Sequence, residues 1–337
     1  MKKKKLRIAV LIHAGLLPPD SKKGYSEEDI QEWKVEYDVI STLKKLGHDV
    51  QPVEMFGELE PLRKSLDEFK PHIAFNLLEE FQEYQLFDQQ VVNYLELKKI
   101  SYTGCNPRGL FLSKDKALSK IILTYHNISV PNFYTFRRNK SFGHNGYSFP
   151  LFVKPLNEEG SIGISQDSVV KNYQDLEERV QFLQSRYNTD VIAEDFIEGR
   201  EIFVGAVGNE RLLTLPPWEL TLENDPGSTP IFTSRLKWDR KHQEKKGLST
   251  GPAKMDERQI LKFAKVTKEI FKALKLSGYC RMDYRLTEDG RIFLIEANPN
   301  PFLAMDEDFA LSAKHSGIEY DELMTKIISA GLKYNPF

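Results

Sequence analysis

Hydrophobic and polar positions along the first hundred residues switch repeatedly between two periods. Leu6–Ile12 is a near-continuous run of Ile, Val and Leu, the pattern of a strand buried on both faces. From Glu27 to Leu46 the apolar positions Ile30, Val35, Val39 and Leu43 fall on or near one helical stripe, and Gly47 stops it. Val50–Met55 reads as a second strand, Glu58–Phe69 as a helix, His72–Leu78 as a third strand and Leu86–Leu97 as a helix. Strand and helix in turn predict a parallel α/β sheet over residues 1–105. No Gly-x-Gly-x-x-Gly follows the first strand, so a dinucleotide fingerprint is absent.

The pattern changes after Tyr102-Thr103-Gly104-Cys105. Ser113-Lys114-Asp115-Lys116 opens a helix running to about Asn127, and Pro131 breaks the chain. Residues 106–200 predict a smaller α+β lobe, with strand Leu151–Lys154, a glycine loop, helix Tyr173–Ser185 and strand Asp190–Phe196. A third lobe, 201–337, starts with strand Glu201–Gly208. An irregular stretch follows from Pro216 to Ala253, and loops of that length are functional lids or disordered. A helix over Glu257–Leu276, capped by Asp256, and a last helix over Asp321–Ile328 complete the prediction.

The remaining stretch, Arg281 to Pro301, is the one the chain is organised around. Two β-rich runs flank Asp289-Gly290, which predicts a two-residue type I′ hairpin turn. Counting outward sets Leu286 against Phe293, Tyr284 against Ile295 and Met282 against Ala297 on an apolar face. The other face sets Asp283 opposite Glu296 and Arg281 opposite Asn298. Opposed carboxylates repel by about 0.2–1 kcal/mol in a plain sheet, and a cation between them removes that cost. Asp, Glu and Asn are hard oxygen ligands of the kind Mg²⁺ takes when it travels with a nucleotide phosphate. A solvated hairpin edge is the plain alternative.

Composition narrows the class. The 337 residues carry a net charge of −2, which argues against nucleic acid or an anionic membrane as partner. No apolar run is long enough to span a bilayer, and the lysines at 2–5 precede no apolar leader core. Cys105 and Cys280 have no metal-like spacing and suit a reducing compartment, so a cytoplasmic protein is the expectation.

Two further strings bear chemistry. Lys154 ends a strand that runs into Glu158-Glu159-Gly160-Ser161-Ile162-Gly163, where backbone N–H groups and a lysine could cradle an anion. Such glycine turns are also common without a ligand. Glu194-Asp195-Phe196-Ile197-Glu198-Gly199-Arg200-Glu201 offers a strand end that could meet an adenine edge and a carboxylate for ribose hydroxyls; an inter-lobe linker is the alternative.

In order, these features are a lysine before a helix, a strand lysine, a glycine loop, the Glu–hinge–Glu string, a basic lid, Arg-x-Asp and Glu-x-Asn-Pro. The set resembles the ATP-grasp superfamily, and within it D-alanine–D-alanine ligase and its relatives, from about Tyr102 to the C-terminus. The resemblance implies an ATP-grasp fold behind an N-terminal parallel α/β lobe. It implies ATP and Mg²⁺ (two ions, Mn²⁺ an alternative) and a cytoplasmic enzyme joining a carboxylate to an amine on amino acids or short peptides through an acyl phosphate. It places Lys116, Lys154 and the loop Glu159, Gly160, Ser161 and Gly163 on the nucleotide phosphates. Glu194, Phe196 and Ile197 match the adenine hinge, Glu201 the ribose carboxylate, and Asp283, Glu296 and Asn298 the metal ligands. Arg281 matches the arginine that stabilises developing negative charge, and Lys237, beside Trp238, the lid lysine on the terminal phosphate; Arg235, Arg240 and Lys241 could do the same electrostatic work. Dimers are common in that family, though no residue here shows one. Another ATP-grasp reaction (a kinase or a hydroxy-acid ligase) and a nucleotide-binding regulator are the alternatives.

The chain departs from the ligase pattern where substrates sit. His13-Ala14-Gly15-Leu16-Leu17 stands in place of a Gly-Gly-x-Ser-x-Glu segment, and Phe75-Asn76-Leu77-Leu78-Glu79-Glu80-Phe81 in place of His-Gly and Gly-Glu-Asp-Gly. Asn298-Pro299-Asn300-Pro301-Phe302 lacks the glycine of Asn-Thr-x-Pro-Gly. ATP chemistry is expected to be retained and substrate recognition changed. His13, Asn76, Glu79 and Glu80, at strand carboxyl ends, are candidates for holding a substrate ammonium or amide.

Overall fold

The computed structural model describes residues 5–144, 146–158, 160–222, 224, 233, 236 and 239–336, the side chains of 240–242 excepted. The buried runs pair as predicted. Strand β1 (Arg7–His13) lies between β2 (Asp49–Met55) and β3 (Ile73–Asn76), all parallel. Its five central residues are fully buried, as a strand covered on both faces requires. Helices α1 (Glu27–Glu32), α2 (Lys34–Lys45), α3 (Glu60–Glu68) and α4 (Asp88–Leu97) alternate with the strands. The single helix expected from Glu27 to Leu46 is broken at Trp33. That residue leaves helical geometry to bury its indole against Tyr25 and Tyr37.

The helix expected from Ser113 to about Asn127 is α6 (Lys116–Tyr125), and a helix not anticipated from the sequence, α5 (Pro107–Lys114), precedes it. Asp115 between them is extended, and its carboxylate accepts from the Leu118 N–H as an N-cap. Then come β4 (Phe133–Phe136), β5 (Leu151–Pro155), β6 (Val169–Val170), α7 (Tyr173–Tyr187) and β7 (Val191–Asp195). The four strands form an antiparallel sheet in the order β4-β7-β5-β6.

The third sheet holds β8 (Arg200–Gly208), β9 (Leu212–Thr214), β10 (Trp218–Leu222), β11 (Leu248–Pro252), β12 (Tyr279–Leu286) and β13 (Ile292–Pro299). Its order is β11-β10-β8-β12-β13, with β9 on β8. The stretch from Pro216 to Ala253 is therefore not irregular throughout. Its ends pair as β10 and β11, and α8 (Arg240–Lys246) precedes β11. Most of the centre of the expected lid, with Lys237 and Trp238, lies outside the described residues. Helices α9 (Glu257–Ala273), α10 (Asp308–His315) and α11 (Tyr320–Lys333) complete the chain; α10 is not anticipated by the periodicity.

Two apolar cores cross between the first and third sheets. One joins Leu11, Leu62 and Val91 to Met282 and Leu294, the other Val10 and Phe75 to Tyr279 and Ile327. The middle sheet has its own core under α7, with Val153, Leu176, Val180 and Leu183.

Candidate active site

The hairpin of β12 and β13 supplies the centre. Its loop is one residue longer than expected: the Gly290 N–H donates to the Thr287 carbonyl, the Thr287 N–H to the Arg291 carbonyl, and Gly290 takes φ +79°. This is a three-residue loop with a left-handed glycine. It shifts the outer rungs to Leu286–Ile292 and Tyr284–Leu294, so Leu294 is the buried partner where Ile295 was expected. A bulge at Ile295 then takes up the extra residue. The two departures cancel. Met282 pairs with Ala297, Asp283 with Glu296 and Arg281 with Asn298, as the sequence predicts.

The carboxylates are each held by cations. Arg281 grips Asp283 with Nε at 2.8 Å and Nη2 at 2.9 Å, while its guanidinium lies 4.5 Å from the Phe203 ring centroid. Asn298 Nδ2 donates to Asp283 Oδ2 at 2.9 Å. Lys116 Nζ lies 3.1 Å from Glu296 Oε1 and donates to the Glu158 carbonyl at 2.5 Å, tying the hairpin to the glycine loop. Burial alone would raise the Glu296 carboxyl, but Lys116, Lys154 and Lys120 hold it at about 2.

Behind Glu296 is a second ionic cluster that the sequence reading missed in part. Lys120, one helical turn beyond Lys116 on α6, donates to the carbonyl of the bulge residue Ile295 at 3.0 Å. Its ammonium also sits 3.2 Å from Glu194, whose other oxygen is 3.1 Å from Lys154. Burial opposes the Glu194 charge, yet the two lysines outweigh it and keep the carboxyl below its usual range. The same burial pushes the Lys120 ammonium down, whereas Glu194 and Glu296 hold Lys154 up. Glu194 is the penultimate residue of β7, an interior strand of the sheet, and its carboxylate lies on the two lysines. The i, i+4 spacing of Lys116 and Lys120 was the available signal for Lys120.

Glu201 lies next to this cluster on β8, paired with Arg285 at 2.7 Å, and Arg285 also donates to the Gly199 carbonyl. Arg285 is a second missed residue; alternation from Arg281 and Asp283 puts it on their face. Burial raises the Glu201 carboxyl despite Arg285. Counted together, five cations (Lys116, Lys120, Lys154, Arg281, Arg285) face four carboxylates (Glu194, Glu201, Asp283, Glu296).

The glycine loop lies over Lys116. Gly160, Ser161 and Gly163 all take positive φ, the left-handed region. A Cβ on Gly163 would come within 2.9–3.1 Å of Pro155, Leu183 and Tyr187. Glu159 lies outside the described residues. Half-buried Phe196 stacks on Phe152 at 6.4 Å, and Ile197 follows at the edge of the middle sheet.

In the first lobe His13 Nε2 lies 3.3 Å from Glu80, and Asn76 is buried with its Nδ2 unpartnered among the described residues. Burial and, more weakly, Glu79 push the buried Glu36 carboxyl on α2 up to about 7. Asn300 has a structural duty: its Oδ1 accepts from the Cys105 N–H at 2.8 Å, fastening the end of β13 to the Gly104 turn.

A metal could use two carboxylates and the Asn298 amide oxygen here. Among the described residues no three His, Cys, Asp or Glu side chains cluster to hold one. The donors are hard oxygens on one face of the hairpin, a set that fits Mg²⁺ completed by phosphate and water. No described helix is long and apolar enough to cross a membrane.

The chain is 29% identical over 336 residues to the uncharacterized protein y4sG of Sinorhizobium fredii, covering 96% of each. It is 29% identical over 293 residues to the D-alanine–D-alanine ligase of Aquifex aeolicus, covering 86% of this chain and 92% of that one. The crystal structure of D-alanine–D-alanine ligase from Bacillus anthracis complexed with ATP matches with a TM-score of 0.75 at 22% identity, covering 97% and 98%. VanG D-Ala:D-Ser ligase from Enterococcus faecalis matches at 0.70 and 20% identity, covering 97% and 99%. Both structures share the fold. The family model described as D-ala D-ala ligase C-terminus matches residues 122–329, more than half of the sequence, and the chain belongs to that family.

Proposed function

We propose that the protein is an ATP-dependent ligase joining the carboxylate of one small amino acid or peptide to the amine of another, with the β12–β13 hairpin as its active site. The family supports the reaction type. The site assignment is carried by one observation: Asp283 and Glu296 stand opposite each other with Arg281 on the same face. Lys116, Lys154 and the Gly160–Gly163 loop take the phosphates, with Lys120 behind them supporting Glu194. Phe196 and Ile197 meet the adenine, and Glu201 the ribose. Asp283, Glu296 and Asn298 hold Mg²⁺ (two ions, with Mn²⁺ as a substitute), which when bound neutralises charge on the transferred phosphoryl group. Lys237 is expected to reach the terminal phosphate from the lid.

The first substrate's carboxylate oxygen attacks the γ-phosphorus, and the bond to ADP breaks. The amine then attacks the acyl carbon, phosphate leaves with the C–O bond pair, and the nitrogen loses its proton. Arg281 is placed to turn from Asp283 toward the oxyanion of that second step. Closure over the acyl phosphate must exclude water.

D-alanine is the first substrate to test, because curated relatives carry that name. The altered first-lobe segments favour a different partner for at least one subsite. ADP release with Mg-ATP and D-alanine, L-amino acids or short peptides, with products weighed by mass spectrometry, decides. A condensed product confirms the ligase, and its mass names the substrates. ADP with a phosphorylated acid and no amide would instead mark a kinase. Glu296→Gln is expected to abolish turnover in a folded protein; normal turnover would remove the metal assignment.

A further inference from the structure

Three cations converge on a cleft that the ligase reaction does not use. A cavity of about 460 Å³ lies between the β8–β9 turn and α9, within the range of roughly 300–1,000 Å³ of small-ligand sites. Arg211 enters it from the turn, and Lys268 and Lys272 from one face of α9, a helical turn apart. None of the three has an ion-pair partner among the described residues. Phe271, buried at 4% exposure, and Leu212 give the cleft an apolar wall, and Glu210 is its single carboxylate.

The turn that carries Arg211 is pinned. The Gly208 N–H donates to the Gly278 carbonyl at 2.7 Å. Asn209 accepts from the Gly278 N–H at 3.0 Å and donates to the Ala330 carbonyl at 2.9 Å. Gly208 has φ +134°, and a Cβ there would lie 2.3 Å from the Arg211 carbonyl oxygen. Arg211 is thus presented across the cleft by backbone that the rest of the fold fixes.

We propose that this cleft binds a small polyanion of the phosphate class, separate from the nucleotide of the reaction. Three cations against the one carboxylate of Glu210, around a concave apolar wall, concentrate positive potential. The guanidinium adds a planar fork suited to phosphate oxygens, with two lysines as point charges beside it. Arg281 pairs with Gly205 on β8, three residues or about 10 Å from Gly208, but Phe271 packs in one core with Met282, on the face of β12 opposite Arg281, so the sheet separates this cleft from the hairpin site.

The test is calorimetric titration of pyrophosphate with excess ADP filling the nucleotide pocket. Native protein is expected to bind it, and Lys268→Glu/Lys272→Glu to weaken binding at least about tenfold, with ligase turnover in the absence of pyrophosphate unchanged. Slower hydrogen exchange in residues 208–213 and 268–272 of the native protein alone would place the ligand. Equal binding by native protein and variant would overturn the proposal. Binding of only long-chain polyphosphate would overturn it too, by making this face a surface for a macromolecular polyanion.

Discussion

Single residues in the candidate site are ionic partners first, and their chemistry follows from that. Glu296 is held at about 2 against an ordinary 4.5. A carboxyl depressed in the folded state stabilises above the ordinary value, and that stabilisation is lost as pH falls toward the folded one. The gap in thermal midpoint between the protein and Glu296→Gln should therefore be steady above about pH 5 and close toward pH 2. A gap that does not depend on acid would remove Lys116 and its neighbouring lysines as the cause. Lys120 joins a buried carboxylate to the Ile295 carbonyl. Lys120→Met should cost roughly 3 kcal/mol in urea unfolding, because it strips one cation from buried Glu194. Adding Glu194→Gln should recover part of that loss, a coupling that a double-mutant cycle reads directly.

Elements place these residues by cancelling errors. The hairpin loop carries one residue more than a two-residue turn, and the bulge at Ile295 absorbs it, leaving the Asp283–Glu296 and Arg281–Asn298 rungs in register. Gly290 sits at φ +79° with open space around its missing Cβ. Gly290→Ala should then cost about 1 kcal/mol from backbone strain alone, measured by chemical denaturation, with ATP turnover near native. A large loss of turnover would mean that the loop controls the register of Asp283 and Glu296. Gly163 differs, since a Cβ there meets three side chains. Gly163→Ala should raise the KM for ATP by displacing the glycine loop. Such contrasts between two positive-φ glycines were invisible in sequence, which shows the residue but not what surrounds it.

At the scale of the molecule, the first and third sheets share two cores while the middle sheet keeps its own. Cooperative units of a fold follow shared burial. Amides of β5 and β7 are accordingly expected to exchange as one group, separate from a group made of β1, β8 and β12. Exchange at a single common rate across all three sheets would contradict that division. The ionic contacts of Lys116 and Lys120 cross between these bodies, from α6 to the hairpin, the glycine loop and β7. These contacts tie the middle sheet to the hairpin through residues proposed to hold ATP.

Local periodicity in the sequence determined the alternating first lobe, the order of sheets and the face on which Asp283, Glu296, Arg281 and Asn298 meet. Those features depend on neighbours a few residues apart, and alternation or helical spacing records them. Lys120, Arg285 and the lysine partners of Glu194 were decided by tertiary structure, because their contacts join α6, β7, β8 and the hairpin across long stretches of chain. Trp33 broke a helix for the same reason: the gain from burying an indole lies outside the local pattern. Asn300, in the string that departs from the ligase pattern, became a fastener for Cys105 only when two distant turns came together. Sequence fixes which groups a strand presents; only packing fixes which groups they meet.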